Sequence, residues 1–313
     1  MAFRKMLPLA LLFALLVVPT AEAKYRVAVG DQSAAMFDSP RWQSLKLKRT
    51  RYLVPWDWTK SPAQVAETTG YMNRARAARQ QVLVTFTARR GCWNGKRYSR
   101  SKACRGPSAK AFKNSFAKFD NAYPWVRTYS AWNEVNHASQ PTFKKPGLAV
   151  RYYDVLRKLA RKRKFKVMAA DMLDTSNMAR YLRSFMRKAK GRPRLWGLHN
   201  YQDVNRKTSQ DTRRMLAMVP GDVWLTETGG IVKFQKFRYS PSRAAARTKW
   251  MFTLANRYDS RKRGMRSKIT QLYVYRWFGE ASRSARFDAG LVNADGTPRK
   301  AYNVFRKFAK THR

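Results

Sequence analysis

Val223-Trp-Leu-Thr-Glu-Thr-Gly-Gly230 and Tyr129-Ser-Ala-Trp-Asn-Glu134 are built alike: each is a short apolar run of β character that ends in a glutamate. Short apolar runs bounded by turn residues and rich in β-branched or aromatic side chains read as buried strands. The two glutamates are 93 residues apart, three strand–helix units at roughly 30 residues each. In a ring of eight such units, strands three steps apart face each other across the mouth. A glutamate at the end of each would then converge on one point.

Working outward, the same alternation runs the length of the chain. Strands are expected at 25–30, 49–54, 81–87, 126–132, 165–170, 195–200, 223–226 and 269–277. Helices are expected at 33–46, 61–80, 107–122, 148–163, 177–190, 212–218, 241–257 and 298–310. Ser61-Pro62 is a helix start and Gly191 a helix stop. Strict alternation with strands apolar on both faces implies parallel pairing through helical crossovers. The expected fold is α/β, a single-domain (β/α)₈ TIM barrel. An open doubly wound sheet would carry a Gly-rich phosphate turn after its first strand, and Val29-Gly-Asp-Gln32 has none. Loops 230–240 and 278–294, with the one around the cysteines, follow strands and are expected on the catalytic rim.

The N-terminus reads as a leader. Arg4 and Lys5 precede an apolar run from Met6 to Val18, and Ala21-Glu-Ala23 fits a cleavage site. The run is too short to span a bilayer as a helix. Residues 1–23 are therefore expected to be a secretory signal peptide, leaving a barrel domain over 24–313 and a secreted, extracellular or cell-wall-associated product. In an oxidising compartment Cys92 and Cys104, the only cysteines, are expected to form a disulfide. No histidine lies close to either in sequence, so no metal or cofactor is expected.

The chain has 66 basic and 18 acidic residues, a formal net charge of +48. Without Arg4, Lys5 and Glu22 the balance is 64 to 17, or +47. Such a field attracts polyanions without a dedicated site. An anionic cell-wall polymer is one partner this admits. Nucleic acid is admitted on charge alone, but no nucleic-acid-binding motif is present. No segment after the leader is apolar enough to be transmembrane, and a monomer is expected.

Eight of the seventeen mature acids, Asp31, Asp57, Glu134, Asp171, Asp174, Asp203, Glu227 and Glu280, fall at or just beyond a strand's C-terminal end. That is the face where barrel active sites are built, so an acidic cleft in a basic shell is expected. Two carboxylates across the mouth suit glycoside hydrolysis: one protonated to assist the leaving oxygen, the other ionised to attack the anomeric carbon.

Trp132-Asn-Glu134 followed by Thr226-Glu227 resembles the clan A glycoside hydrolases, retaining (β/α)₈ enzymes with Asn-Glu after strand four and Glu on strand seven. The run Gly290 to Tyr302 also resembles the approach to the last helix in such enzymes. The resemblance implies a secreted retaining glycosidase acting on a polysaccharide or glycoside. It implies Glu134 as general acid/base and Glu227 as nucleophile. Asn133 would bind the sugar 2-hydroxyl, Tyr201 would orient Glu227, and Trp277 would floor the reacting sugar. Arg51 would keep Glu227 ionised. His199 is either a substrate contact or a satisfied buried histidine. Trp56, Trp58 and Trp93 lie on rim loops and are candidates to stack on sugar, or to be buried beneath the loops. The alternative is a barrel that binds glycan or polyanion without cleaving it, since fold alone does not decide activity.

Overall fold

The computed structural model describes residues 25–235 and 237–312, so the expected leader at 1–23 lies outside the described residues. Eight parallel barrel strands are present: Arg26–Gly30, Arg49–Pro55, Gln81–Thr87, Thr128–Ser130, the two-piece strand Lys166–Met168 and Asp171–Leu173, Leu195–His199, Gly221–Thr228 and Ser267–Tyr275. Each pairs with its neighbours in parallel, the eighth lying beside the first. The two-piece strand closes the ring. Its first piece pairs with the fourth strand and its second with the sixth. Across the gap the ladders continue: Ala169 N–H donates to Leu195 O (2.9 Å), Gly197 N–H to Ala170 O (3.0 Å) and Asp171 N–H to Trp132 O (3.2 Å). The sheet has no free edge at this point.

Helices begin where the residues allow. Ser61, Ser108 and Ser240 each cap a helix by accepting from the backbone N–H three residues on, and proline follows Ser61 and Ser240 in the first turn. Where one helix was expected over 33–46, the chain forms a 3₁₀ turn, Ala34–Asp38, and a short helix, Pro40–Ser44. Pro40 is the cause: it disfavours helical backbone in the residue before it, and Ser39 is extended. A further helix, Tyr201–Arg206, follows the sixth strand directly.

The core has two parts. Between strands and helices lies one large apolar layer; inside the barrel Ala28, Leu83, Met168 and Tyr273 pack as a separate small cluster. Above that cluster, toward the C-terminal ends of the strands, the interior becomes polar: Arg51, Thr85, Asp171 and Thr226 are all buried. Gly197 makes room for this layer, because a Cβ there would lie 1.8 Å from Asp171 Oδ1.

The rim loops are joined to one another. Lys233–Phe234 pairs antiparallel with Phe287–Asp288, linking the loops after the seventh and eighth strands. Arg286 donates to Asn94 O (3.0 Å) and Gly95 O (2.7 Å) in the cysteine loop. Cys92 and Cys104 are disulfide-bonded, with Cα atoms 5.5 Å apart. A bond closing a loop of this size stabilises by roughly 3 kcal/mol in the chain-entropy model. No helix among the described residues is long and apolar enough to cross a membrane.

Candidate active site

Glu227 lies within the seventh strand, where regular alternation would aim it away from the barrel axis. Trp224 packs with the interior cluster, and Val223 and Leu225 face the outer layer. Thr226 points inward, its hydroxyl 2.6 Å from Asp171 Oδ1. The register slips at this point: Leu198 pairs with Leu225, but His199 pairs with Glu227. Such an irregularity re-aims the side chain that follows it, so Thr226 and Glu227 are successive residues that both face inward. Glu134 is turned by a different device. It follows the fourth strand with φ of +40°, a left-handed conformation rarely adopted by residues other than glycine.

These two departures bring the glutamates together around His199. Its Nδ1 lies 3.3 Å from Glu134 Oε1 and 3.7 Å from Glu227 Oε2. One oxygen of each carboxylate and a ring nitrogen of His199 all fall within 4.8 Å of one another. Beneath them sits Arg51, 1% exposed. It donates to Glu227 Oε1 (2.6 Å), Asn133 Oδ1 (2.8 Å), Asp171 Oδ2 (3.1 Å) and Thr85 Oγ1 (3.2 Å). Tyr201 hydroxyl donates to Glu227 Oε2 at 3.4 Å. Of the expected site residues, Glu134, Glu227, Asn133, Arg51, His199 and Tyr201 therefore form one cluster.

The expected tryptophans do not join it. Trp277 is fully buried and packs edge-on against Tyr302 of the last helix. The eighth strand ends at Tyr275, so the alternation that keeps Tyr273 inside is not carried on to position 277. Tyr275 lines the cleft, whereas Trp277, expected to floor the reacting sugar, does not. Trp56 is half-buried against the outer core with Lys60 over its ring, and it does not line the cleft. Trp58 is buried against Phe119 and Tyr123. Trp93 stays at the mouth, 5.9 Å from the His137 ring.

The expected acidic cleft is also narrower than eight carboxylates. Asp31 accepts from the N–H groups of Trp277 and Phe278 (2.9 and 3.0 Å), and Asp203 accepts from Thr212 N–H (2.6 Å) at a helix start. Asp57 lies 3.5 Å from Arg89, and Glu280 pairs with Arg276. Asp174 lines the cleft without reaching the cluster. Only Glu134, Asp171 and Glu227 converge. Asp171 stood among the rim acids in the sequence but had no role there. Its signal was a carboxylate directly after the apolar run Val167 to Ala170.

Burial alone would raise the Asp171 carboxyl, but the Arg51 and His199 charges outweigh it and hold it below the ordinary range. Glu134 follows the same pattern: burial pushes it up, and the His199 hydrogen bond and charge pull it down further. Burial would lower His199, but the facing Glu227 and Glu134 carboxylates win and raise it. In the free site, then, these shifts favour an ionised Glu134 beside a protonated His199. This is the reverse of the neutral Glu134 that acid catalysis needs at the moment of leaving-group departure.

A raised histidine stabilises the fold fully below the ordinary imidazole pKa and loses that contribution as pH rises through the folded value. The stability gap between the native protein and His199→Gln is therefore expected to narrow as pH rises above the ordinary imidazole value of about 6.5 in denaturant titrations. A gap that widens with pH would mean that His199 is uncharged in the folded protein.

The cluster opens into a cleft of about 490 Å³ lined from both glutamates outward by Tyr201, Tyr275 and the loops after the fifth to eighth strands. Comparison with known proteins agrees with this arrangement. The family model for the glycosyl hydrolase catalytic core matches residues 105–305, which include both glutamates. No curated protein matches the sequence. Among solved structures, the chain is similar to a family 39 glycoside hydrolase from the gut symbiont Bacteroides cellulosilyticus WH2, with 13% identity and a TM-score of 0.58 over 92% of this chain and 64% of that one. It therefore spans less than two thirds of that relative's length. It is similar to a family 39 β-xylosidase from Caulobacter crescentus, at 13% identity and TM-score 0.62, covering 93% of this chain and 73% of that one. It is also similar to a fungal β-1,4-galactanase, at 12% identity and TM-score 0.62, covering 91% and 99%. At these identities the structural likeness shows the (β/α)₈ barrel fold, and the family model carries the assignment: the chain belongs to the glycosyl hydrolase catalytic core family.

Proposed function

We propose that the protein is an exported retaining glycosidase that cleaves an O-glycosidic bond of a polysaccharide or smaller glycoside by double displacement. The observation that carries this is the approach of the Glu134 and Glu227 carboxylate oxygens to within 4.8 Å of one another at the floor of an open cleft. Retaining enzymes hold their carboxyls at about 5–5.5 Å, whereas inverting enzymes leave about 6.5–9.5 Å for a water.

In the first step Glu227 Oε2 attacks the anomeric carbon. Arg51 holds Oε1 and Tyr201 orients Oε2. Glu134 gives its proton to the leaving oxygen, and a glycosyl ester forms on Glu227. In the second step Glu134 takes a proton from water, the water oxygen attacks the same carbon, and Glu227 departs unchanged. Asn133 has its oxygen committed to Arg51 (2.8 Å), so its amide N–H groups are the ones free for a sugar hydroxyl. His199 Nδ1, 3.3 Å from Glu134 Oε1, is placed to hand Glu134 the proton used in the first step. A sugar that displaces water from the site favours the neutral carboxyl over the separated charges.

Export is supported by the composition of residues 1–23 and by the disulfide, a bond that persists in oxidising compartments. The net charge of +48 supports retention on an anionic wall polymer. The test is a panel of polysaccharides and aryl glycosides, followed by new reducing ends and by proton NMR of the first-formed sugar. Its anomeric configuration is expected to match that of the substrate. An inverted first product would remove Glu227 from the nucleophile role, and tight glycan binding without any new reducing ends would favour a non-catalytic barrel.

A further inference from the structure

The wall of the cleft is unlike its floor. Setting aside the reacting groups, several polar side chains on the lining are already committed within the protein. Asn205 donates to Tyr201 O (2.9 Å) and Gly229 O (3.1 Å) and accepts from Ile231 N–H (2.8 Å). Gln202 gives its amide N–H to Asp174 O, and Thr175 hydroxyl is held by Asn136 and Asn177 (2.8 Å each). What faces the space is largely Leu173, Ile231, Phe234, Phe237 and Phe287, side chains with no hydrogen-bonding capacity.

These aromatics form a connected group that starts beside Glu227. The Phe287 ring lies 5.8 Å from Tyr201, 6.4 Å from Tyr275 and 6.0 Å from Phe234. The antiparallel pairing of Lys233–Phe234 with Phe287–Asp288 fixes the two loops that carry them. A tight turn then presents Phe237, whose N–H donates to Phe234 O at 2.7 Å. At 39% exposure Phe237 is the one exposed large hydrophobic side chain among the described residues. It sits at the lip of the catalytic cleft, with the Arg243 guanidinium 5.3 Å from its ring centre.

Building on the glycosidase reading, we propose that the cleft takes a glycoside whose leaving group is apolar, an alkyl, aryl or lipid-like aglycone seated against Phe234, Phe237 and Phe287. A sugar presents hydroxyls that must exchange water for protein partners, and an unpaired one is costly. The sugar's partners are on the floor: Glu134, Glu227, Asn133 and Tyr201. The portion across the scissile bond meets a wall of mainly apolar contact area, with His137, Asp174 and Arg206 as its remaining polar side chains. Glu134, which protonates the leaving oxygen, lines the same cleft as this wall, which argues for substrate rather than a separate protein partner.

The test compares n-octyl with methyl β-glycosides of glucose, galactose, xylose and mannose, below the micelle concentration. Binding to Glu227→Gln protein is measured by titration calorimetry, and sugar release by the native enzyme is measured alongside. The octyl form of at least one sugar is expected to bind at least about tenfold tighter than its methyl form, the value of burying roughly two methylene groups. Phe237→Ser, a change at an exposed position, is expected to reduce that ratio to about threefold or less, and Phe234→Ser with Phe237→Ser to abolish it. Equal binding of octyl and methyl forms would overturn the proposal. So would an octyl preference untouched by either variant, or a disaccharide that binds as tightly as the octyl glycoside. An octyl preference without sugar release by the native enzyme would instead sink the glycosidase reading and leave an apolar-ligand site.

Discussion

Glu227→Ala is expected to lower turnover by at least about 10⁴-fold, with the fold intact, and to be rescued by azide with a diagnostic change of product. The expectation follows from how Glu227 is held. One of its oxygens is fixed by Arg51 at 2.6 Å and the other faces the cleft under the Tyr201 hydroxyl. Alanine removes the attacking oxygen and leaves a space into which a small anion fits, next to an arginine that favours one. Azide attacking the anomeric carbon in that space displaces the leaving group once, so the glycosyl azide has the anomeric configuration opposite to the substrate. Glu134→Ala behaves differently in the proposed mechanism. Substrates with activated leaving groups still form the ester on Glu227, and azide then attacks from the other side, giving an azide of retained configuration. If both variants gave the same anomer, or if Glu227→Ala kept more than about one hundredth of native turnover, the assignment of roles would fail.

Arg51→Leu is expected to destabilise the protein by about 3–5 kcal/mol, an unusually large effect for one residue. The guanidinium is 1% exposed and makes ion pairs with Asp171 and Glu227, of which Asp171 is fully buried. Removing it strands negative charge where solvent does not reach, and Asn133 and Thr85 lose their donor as well. Lysine is not an adequate replacement, because a single ammonium cannot address partners on three strands and the turn after a fourth in a fixed fork. The stranded-charge account makes a second, sharper demand. Arg51→Leu combined with Asp171→Leu is expected to be more stable than the sum of the two single losses allows, because the double variant has fewer unpaired charges. Equilibrium unfolding in urea measures all three. Strict additivity, or a loss below about 1 kcal/mol in Arg51→Leu, would mean that the pairings are incidental.

The number, order and direction of the barrel strands were legible in the chain. They depend on local pattern: apolar runs short enough for strands, alternating with longer periodic segments, through loops that carry the catalytic rim. Strand ends were less legible. The fourth strand, expected over 126–132, is three paired residues, Thr128–Ser130. The pairing of Cys92 with Cys104 also needed no more than compartment and count. The positions of Glu134 and Glu227 could be read from strand order, since opposition in a ring of eight is a matter of counting.

Where those side chains point was decided only by the folded barrel. Alternation along a strand has a period of two, and it would send Glu227 out with Val223 and Leu225. The slip of register at Thr226 is a property of three strands pairing at once, and no local pattern encodes it. The left-handed turn at Glu134 is likewise imposed by the neighbouring fifth strand, whose Asp171 carbonyl accepts from Val135 N–H at 3.0 Å. Trp277 fails the sequence expectation for the same reason in reverse: its strand stops two residues early, and the pleat that would have carried it inward is gone. The apolar wall needed two loops more than fifty residues apart to pair. Local residues determine which elements form and in what order. The aim of a side chain at the end of an element depends on hydrogen bonds to strands far away in sequence, and those exist only once the ring has closed.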